Sequence, residues 1–226
     1  MEEIKMDLIV MLTNHDQTVK DAIEIFDSAK DLDVKHWGFK NIGLPVPQMK
    51  QLVKSMKDAG KTTYLEVVTY DEPDCISAAE LAIECGFDCL MGTKYYPSLG
   101  KLVKGKIKYL PFCGHIWSNP SILGDDIDGI IEDAKHLKSL GCDGTDLLAF
   151  RFVGDPIQLI NRFVKEVDFT TCIAGSIDSY QRLDFMKEVN PPSFTMGSAL
   201  FNQNFVPDGS FKDNLKAVAD YLKTLS

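Results

Sequence analysis

The chain has 226 residues with 24 Lys+Arg against 33 Asp+Glu, a formal net charge of −9. That balance lacks the basic field that gives nonspecific affinity for nucleic acid or anionic membranes, so a small-molecule or protein partner is expected, with no nucleic acid and no membrane. At 45% hydrophobic and 25% charged the composition is globular, and no apolar run approaches a membrane span.

The apolar stretch at residues 8–12 is short for a signal segment and follows Glu2, Glu3 and Asp7, where a signal peptide is basic, so a cytoplasmic protein is expected. In chain order, β-rich apolar runs then alternate with amphipathic stretches. Run 7–13 precedes stretch 18–31, 34–40 precedes 46–59, and 62–68 precedes 74–85. Run 88–94 precedes a short stretch at 97–104, and 107–112 precedes 127–140. The series closes with 143–148 before 156–167, 169–174 before 179–189, and 193–197 before 211–225. Ile130, Ile131, Ala134, Leu137 and Leu140 recur at helical spacing, as do Leu215, Val218, Ala219, Leu222 and Leu225. Gly60, Gly86 and Gly141 read as helix ends, and Asp74, Asp125 and Ser210 as N-caps.

Strand–helix alternation argues for a parallel sheet with crossover helices. Eight such units without a linker predict an α/β fold, a single (β/α)8 barrel domain over residues 1–226. Cys75, Cys85, Cys89, Cys113, Cys142 and Cys172 show no CxxC pair and no zinc-type spacing, so they are expected to be buried reduced thiols. No metal and no cofactor is expected.

In such barrels chemistry sits at the C-terminal strand ends. The polar residues there are Thr13, Asn14, His15 and Asp16; Lys40 and Asn41; Glu66; Lys94; Cys113 and His115; Asp146; Gly175 and Ser176; Gly197 and Ser198. Gly175-Ser176 and Gly197-Ser198 each end an apolar run, and two adjacent glycine turns beside a helix start can surround a phosphate with N–H groups. Read singly, each glycine is a turn residue.

The segments Ile173-Ala-Gly-Ser-Ile-Asp and Met196-Gly-Ser-Ala-Leu-Phe resemble the closing motifs of the ribulose-phosphate-binding barrel superfamily. That group includes the histidine-biosynthesis isomerase, the pentose-phosphate epimerases, and aldolase-like and decarboxylase members. The resemblance implies phosphate-binding loops after strands seven and eight. Many relatives have Gly-Gly where this chain has Gly175-Ser176, and Ser176 can donate its hydroxyl instead. The isomerase's aspartates on strands one and five are replaced by Met11-Leu-Thr-Asn-His-Asp and Phe112-Cys-Gly-His-Ile, and the epimerases' metal-binding His and Asp set is not recognisable. No specific reaction is transferred.

Glu66 and Lys94 are expected to point into the barrel, with Lys40 near them. A lysine depressed in pKa attacks carbonyls as a Schiff-base nucleophile, and a neighbouring carboxylate moves the proton. A structural ion-pair network and noncovalent binding of an enolate oxygen are the alternatives. His115, followed by Trp117 and Asn119, is an acid/base candidate, and Asp146 a residue that orients a base or hydroxyl. His36 and His136 read as structural. His15-Asp16 reads equally as a strand end or as the N-cap region of the first helix.

These residues predict an enzyme acting on a small phosphorylated sugar or keto compound through carbonyl, enediolate or Schiff-base chemistry, an isomerase, epimerase or aldolase-type lyase. The alternative is a regulatory barrel that senses a phosphorylated metabolite without turnover. Oligomeric state stays open, a homo-oligomer included.

Overall fold

The structure is a computed structural model that describes residues 6–118 and 120–224; Asn119 and Leu225, named above, lie outside the described residues. Eight parallel strands form one sheet: β1 (Asp7–Met11), β2 (His36–Lys40), β3 (Thr62–Val67), β4 (Cys89–Gly92), β5 (Lys108–Leu110), β6 (Thr145–Leu147), β7 (Thr171–Ile173) and β8 (Ser193–Met196). The order is β6-β7-β8-β1-β2-β3-β4-β5. The ends meet where Phe112 bridges Asp146 and the Asp146 N–H donates to the Pro111 carbonyl at 3.0 Å, closing a (β/α)8 barrel.

Seven of the eight strands end one or two residues inside their expected runs, where pairing gives way to loops at the barrel rim, and β2 ends at Lys40 as expected. The helices are α1 (Ala22–Ala29), α2 (Val46–Asp58), α3 (Glu72–Cys85), α4 (Pro97–Val103), α5 (Ile127–Ser139), α6 (Pro156–Glu166), α7 (Tyr180–Val189), a short α8 (Ser198–Phe201) and α9 (Phe211–Thr224). Two expected N-caps shift. Asp71 caps α3 by accepting from the Asp74 N–H, and Asp126 caps α5 by accepting from Gly129. Ser210 does cap α9, exchanging bonds with Asp213.

The two-residue period of the strands divides the apolar side chains into two layers. Ile9, Met11, Cys89, Met91, Leu110 and Cys172 fill the barrel interior with Tyr64 against them. Val10, Trp37, Phe39, Leu65, Leu147 and Phe194 face the helices. Trp37 is fully buried, meets Phe26 edge-on at 5.1 Å, and donates its indole N–H to Val34. Trp37→Ala is expected to cost about 3–5 kcal/mol, read as a lower denaturant midpoint at constant slope. The six cysteines are free, and all but Cys142 are buried. Among the described residues no helix is long and apolar enough to cross a membrane.

Candidate active site

The segment after β1 is not a helix start. Residues 13–18 fold into a hairpin in which Thr13–Asn14 pairs with Gln17–Thr18. His15 and Asp16 take its two turn positions with φ of 48° and 59°, the left-handed pair a type I′ turn demands. The hairpin docks on the end of β2: Thr18 Oγ1 donates to the Lys40 carbonyl at 2.7 Å and accepts from the Lys40 N–H at 2.9 Å. A Cβ on Gly43 would lie 2.2 Å from the Thr18 carbonyl oxygen, so only glycine lets the chain pass here.

Docking sets the Asp16 carboxylate on Lys40, Oδ1 to Nζ 2.9 Å. Lys40 and Glu66 are register partners on β2 and β3, and their charged atoms lie 3.7 Å apart. Arg151, in a single 3₁₀ turn (Ala149–Arg151) after β6, reaches the same Asp16 oxygen at 3.4 Å. Two cations therefore face two carboxylates at the floor of the barrel mouth. Burial pulls the Lys40 ammonium down, but Glu66 and Asp16 outweigh it and leave its pKa above the usual lysine value. Burial raises the Asp16 carboxyl, yet Lys40 and Arg151 hold it below the usual range. Asp146 on β6 is fully buried, and among the described residues neither of its carboxylate oxygens has a hydrogen-bond partner. Burial, reinforced by Glu66, pushes its pKa well above the ordinary aspartate value against the pull of Lys40 and Arg151.

A cavity of about 250 Å³ opens above this floor, lined by Thr13, Asp16, Lys40, Glu66 and Arg151 on one side and by residues 174–178 and 195–199 on the other. Gly175 has φ +110°, and a Cβ there would meet Phe150, so glycine is required. Its carbonyl accepts from Ile177 at 2.8 Å, which in a planar trans peptide directs the Ser176 N–H the opposite way. Arg182 ties the Ser176 carbonyl and the Asp178 carboxylate behind this turn. Ser198 opens α8 directly after Gly197. Among the described residues, no acceptor meets the N–H groups of Gly175, Ser176, Gly197 or Ser198. Gly197 has a second reason to lack a side chain, since its Cβ would sit 2.9 Å from the Thr13 carbonyl oxygen and 3.1 Å from that of Met11.

Lys94 and His115 are not among the lining residues. Lys94 lies over the Tyr70 ring, 5.8 Å from its centroid, because Gly92 and Thr93 at positive φ turn the chain outward after β4. His115 is exposed and stacked on Trp117 at the foot of a second hairpin, Ile116–Trp117 with Ile122–Leu123. Thus Lys40 and Glu66 come together with the four glycine-turn residues in one cavity, Asp146 is sealed in the barrel interior outside it, and Lys94 and His115 stand apart. Asp16, among the strand-end polar residues named above, and Arg151, which was not, join the cluster. The turn pattern Asn14-His15-Asp16 between two threonines is the cue for Asp16, and Arg151 has none. No group of three or more His, Cys, Asp or Glu that could hold a metal ion occurs among the described residues.

No protein-family profile and no curated protein sequence matches the chain. Many solved structures do. The orotidine 5′-monophosphate decarboxylase of Methanocaldococcus jannaschii matches with TM-score 0.68 and 14% identity over 96% of this chain and 99% of its own. The N-acetylmannosamine-6-phosphate 2-epimerase of Clostridium perfringens matches with TM-score 0.64 and 11% identity over 88% and 91%. A glycerol uptake operon antiterminator regulatory protein of Listeria monocytogenes matches with TM-score 0.58 and 15% identity over 85% and 91%. At these identities the likeness is one of fold.

Proposed function

We propose that this chain is an enzyme that holds a small phosphorylated sugar or keto compound by its phosphate and moves a proton beside its carbonyl. The observation that carries the reading is one cavity with a floor of Lys40, Glu66 and Asp16 and a facing rim of unpartnered N–H groups from Gly175, Ser176, Gly197 and Ser198. Converging amides and the start of α8 suit a phosphate, a site frequent after strands seven and eight of such barrels. Names such as decarboxylase and 2-epimerase of phosphorylated compounds among the structural neighbours support an enzyme of this type.

Lys40 acts as a fixed cation that stabilises the oxyanion forming at the carbonyl, and Asp16 keeps it in place. Glu66 takes the proton from the adjacent carbon and returns it to the enediolate. The hydroxyl of Thr13, buried in the cavity wall with no partner among the described residues, meets a substrate hydroxyl. Imine chemistry is disfavoured, because attack needs a neutral amine whereas the ion pairs of Lys40 hold it protonated and Lys94 leans on Tyr70. Isomerase or epimerase chemistry therefore fits better than an imine-forming aldolase.

Incubation with keto phosphates in D2O should place deuterium on the carbon next to the carbonyl, read by NMR, and the dephosphorylated compounds should exchange far more slowly. A ligand that binds tightly without exchange would favour the regulatory reading instead, to which the likeness to the antiterminator protein lends support. Borohydride reduction that adds ligand mass to Lys40 or Lys94 would overturn the enediolate mechanism.

A further inference from the structure

The only buried side-chain nitrogen or oxygen atoms without a hydrogen-bond partner among the described residues are Thr13 Oγ1 and the two carboxyl oxygens of Asp146. Thr13 lines the cavity, but Asp146 lies among the barrel-interior residues and does not. It pairs in register with Cys172 on β7 and bridges Phe112 across the closing seam. An ionised carboxylate sealed from water normally accepts two or more hydrogen bonds, and Asp146 accepts none. The groups around it leave no counterion to spare. Lys40 of β2 is bonded to Asp16 and 3.7 Å from Glu66 of β3, and Arg151 is also on Asp16. The remaining titratable neighbours are thiols kept neutral by burial: Cys172 on β7, Cys89 on β4, and Cys113 after β5, the last pushed up to about 12.

We infer that Asp146 is a positioning residue that keeps its proton at neutral pH inside the barrel, so that its charge does not add to that of Glu66 against the single Lys40 ammonium. The Glu66 part rests on the proposed function; the proton on Asp146 does not. As Glu66 accepts a proton from the substrate carbon, the negative charge that opposes ionisation of Asp146 disappears, so the two carboxyls never carry two negative charges under one ammonium. Burying an acid in this way weakens the fold. A carboxyl whose proton affinity rises on folding contributes stability that is full below the ordinary aspartate range and is lost as pH climbs toward the folded value. Retaining such a group is expected where it serves chemistry.

Carbon-13 NMR of aspartate-labelled protein tests the proton directly. One aspartate carboxyl signal should remain in the protonated range at pH 7 and be missing from Asp146→Asn. If every aspartate carboxyl of the wild type is ionised at pH 7, the inference is wrong. Asp146→Asn should also be more stable than wild type at pH 8, with a flatter stability curve between pH 5 and 8; an identical curve overturns the assignment. Should that variant fail to fold, Glu66→Gln replaces it. Loss of the Glu66 charge should shift the persisting wild-type signal to ionise at lower pH, and no shift refutes the pairing. Ionisation of Asp146 at alkaline pH adds a second negative charge against Lys40 and should slow wild-type exchange there, whereas Asp146→Asn should stay within about tenfold of wild type at pH 7 and lack that decline. An unchanged alkaline decline overturns the coupling to Glu66. If the wild type exchanges nothing, the proposed function and the coupling fall together, while the carboxyl signal still decides where the proton sits.

Discussion

Lys40→Met is expected to lower kcat for the exchange reaction by about 10²–10³-fold, the loss typical of removing a preorganised partner of a developing oxyanion. Methionine keeps much of the lysine stem, so the side chain still fills its place between β1 and β3. The charge does not survive, and both carboxylates on it are stranded: Asp16 loses its 2.9 Å bond and Glu66 its 3.7 Å neighbour. Breaking a buried pair from one side costs about 3–5 kcal/mol, since the remaining carboxylate is left without compensation. Urea unfolding should therefore show a clear fall in midpoint. The loss should be smallest at acid pH, where protonation of Asp16 removes its uncompensated charge. Full turnover in a well-folded Lys40→Met variant would leave the cavity floor a structural ion-pair network.

Ser198→Asp is expected to weaken binding of a phosphorylated ligand by about 10²-fold while changing binding of its dephosphorylated counterpart only a few-fold. Ser198 is exposed at the first position of α8, so an aspartate fits without displacing a neighbour. A carboxylate there suits a helix start but opposes a phosphate held by the same N–H groups. At about 5 Å and an effective dielectric near 20, two unit charges repel by about 3 kcal/mol, which matches the predicted loss. Isothermal titration with both ligands separates the cases. Equal weakening of the two would remove the phosphate from this rim. Gly197 is the poorer place for such a test, because any side chain there strikes the Thr13 and Met11 carbonyls and disturbs β1 whether or not a ligand binds.

Much of the barrel was legible before any coordinates. Short β-rich apolar runs, spaced by amphipathic stretches, marked all eight strands, since burial of both strand faces is recorded in consecutive residues. Boundaries were less legible. The expected first helix at residues 18–31 contracts to Ala22–Ala29 because Thr18 leaves helical geometry to bond the Lys40 backbone, a partner 22 positions away. Lys94 was expected to point inward from a longer fourth strand. That strand stops at Gly92, and Thr93 at φ 69° turns the next side chain toward Tyr70.

The sequence by itself determined the α/β barrel and the glycine turns after β7 and β8, along with Lys40 and Glu66 as charged residues at strand ends. These follow from local periodicity and from the backbone freedom of glycine. Only the tertiary structure decided which charged groups meet. Asp16 reaches Lys40 through a hairpin that docks on β2, Arg151 arrives from a turn after β6, and Asp146 is sealed at the seam between β5 and β6. Those meetings depend on how the sheet is staggered when it closes. Arg151 meets Asp16 from 135 positions away, and no short stretch of sequence carries that information.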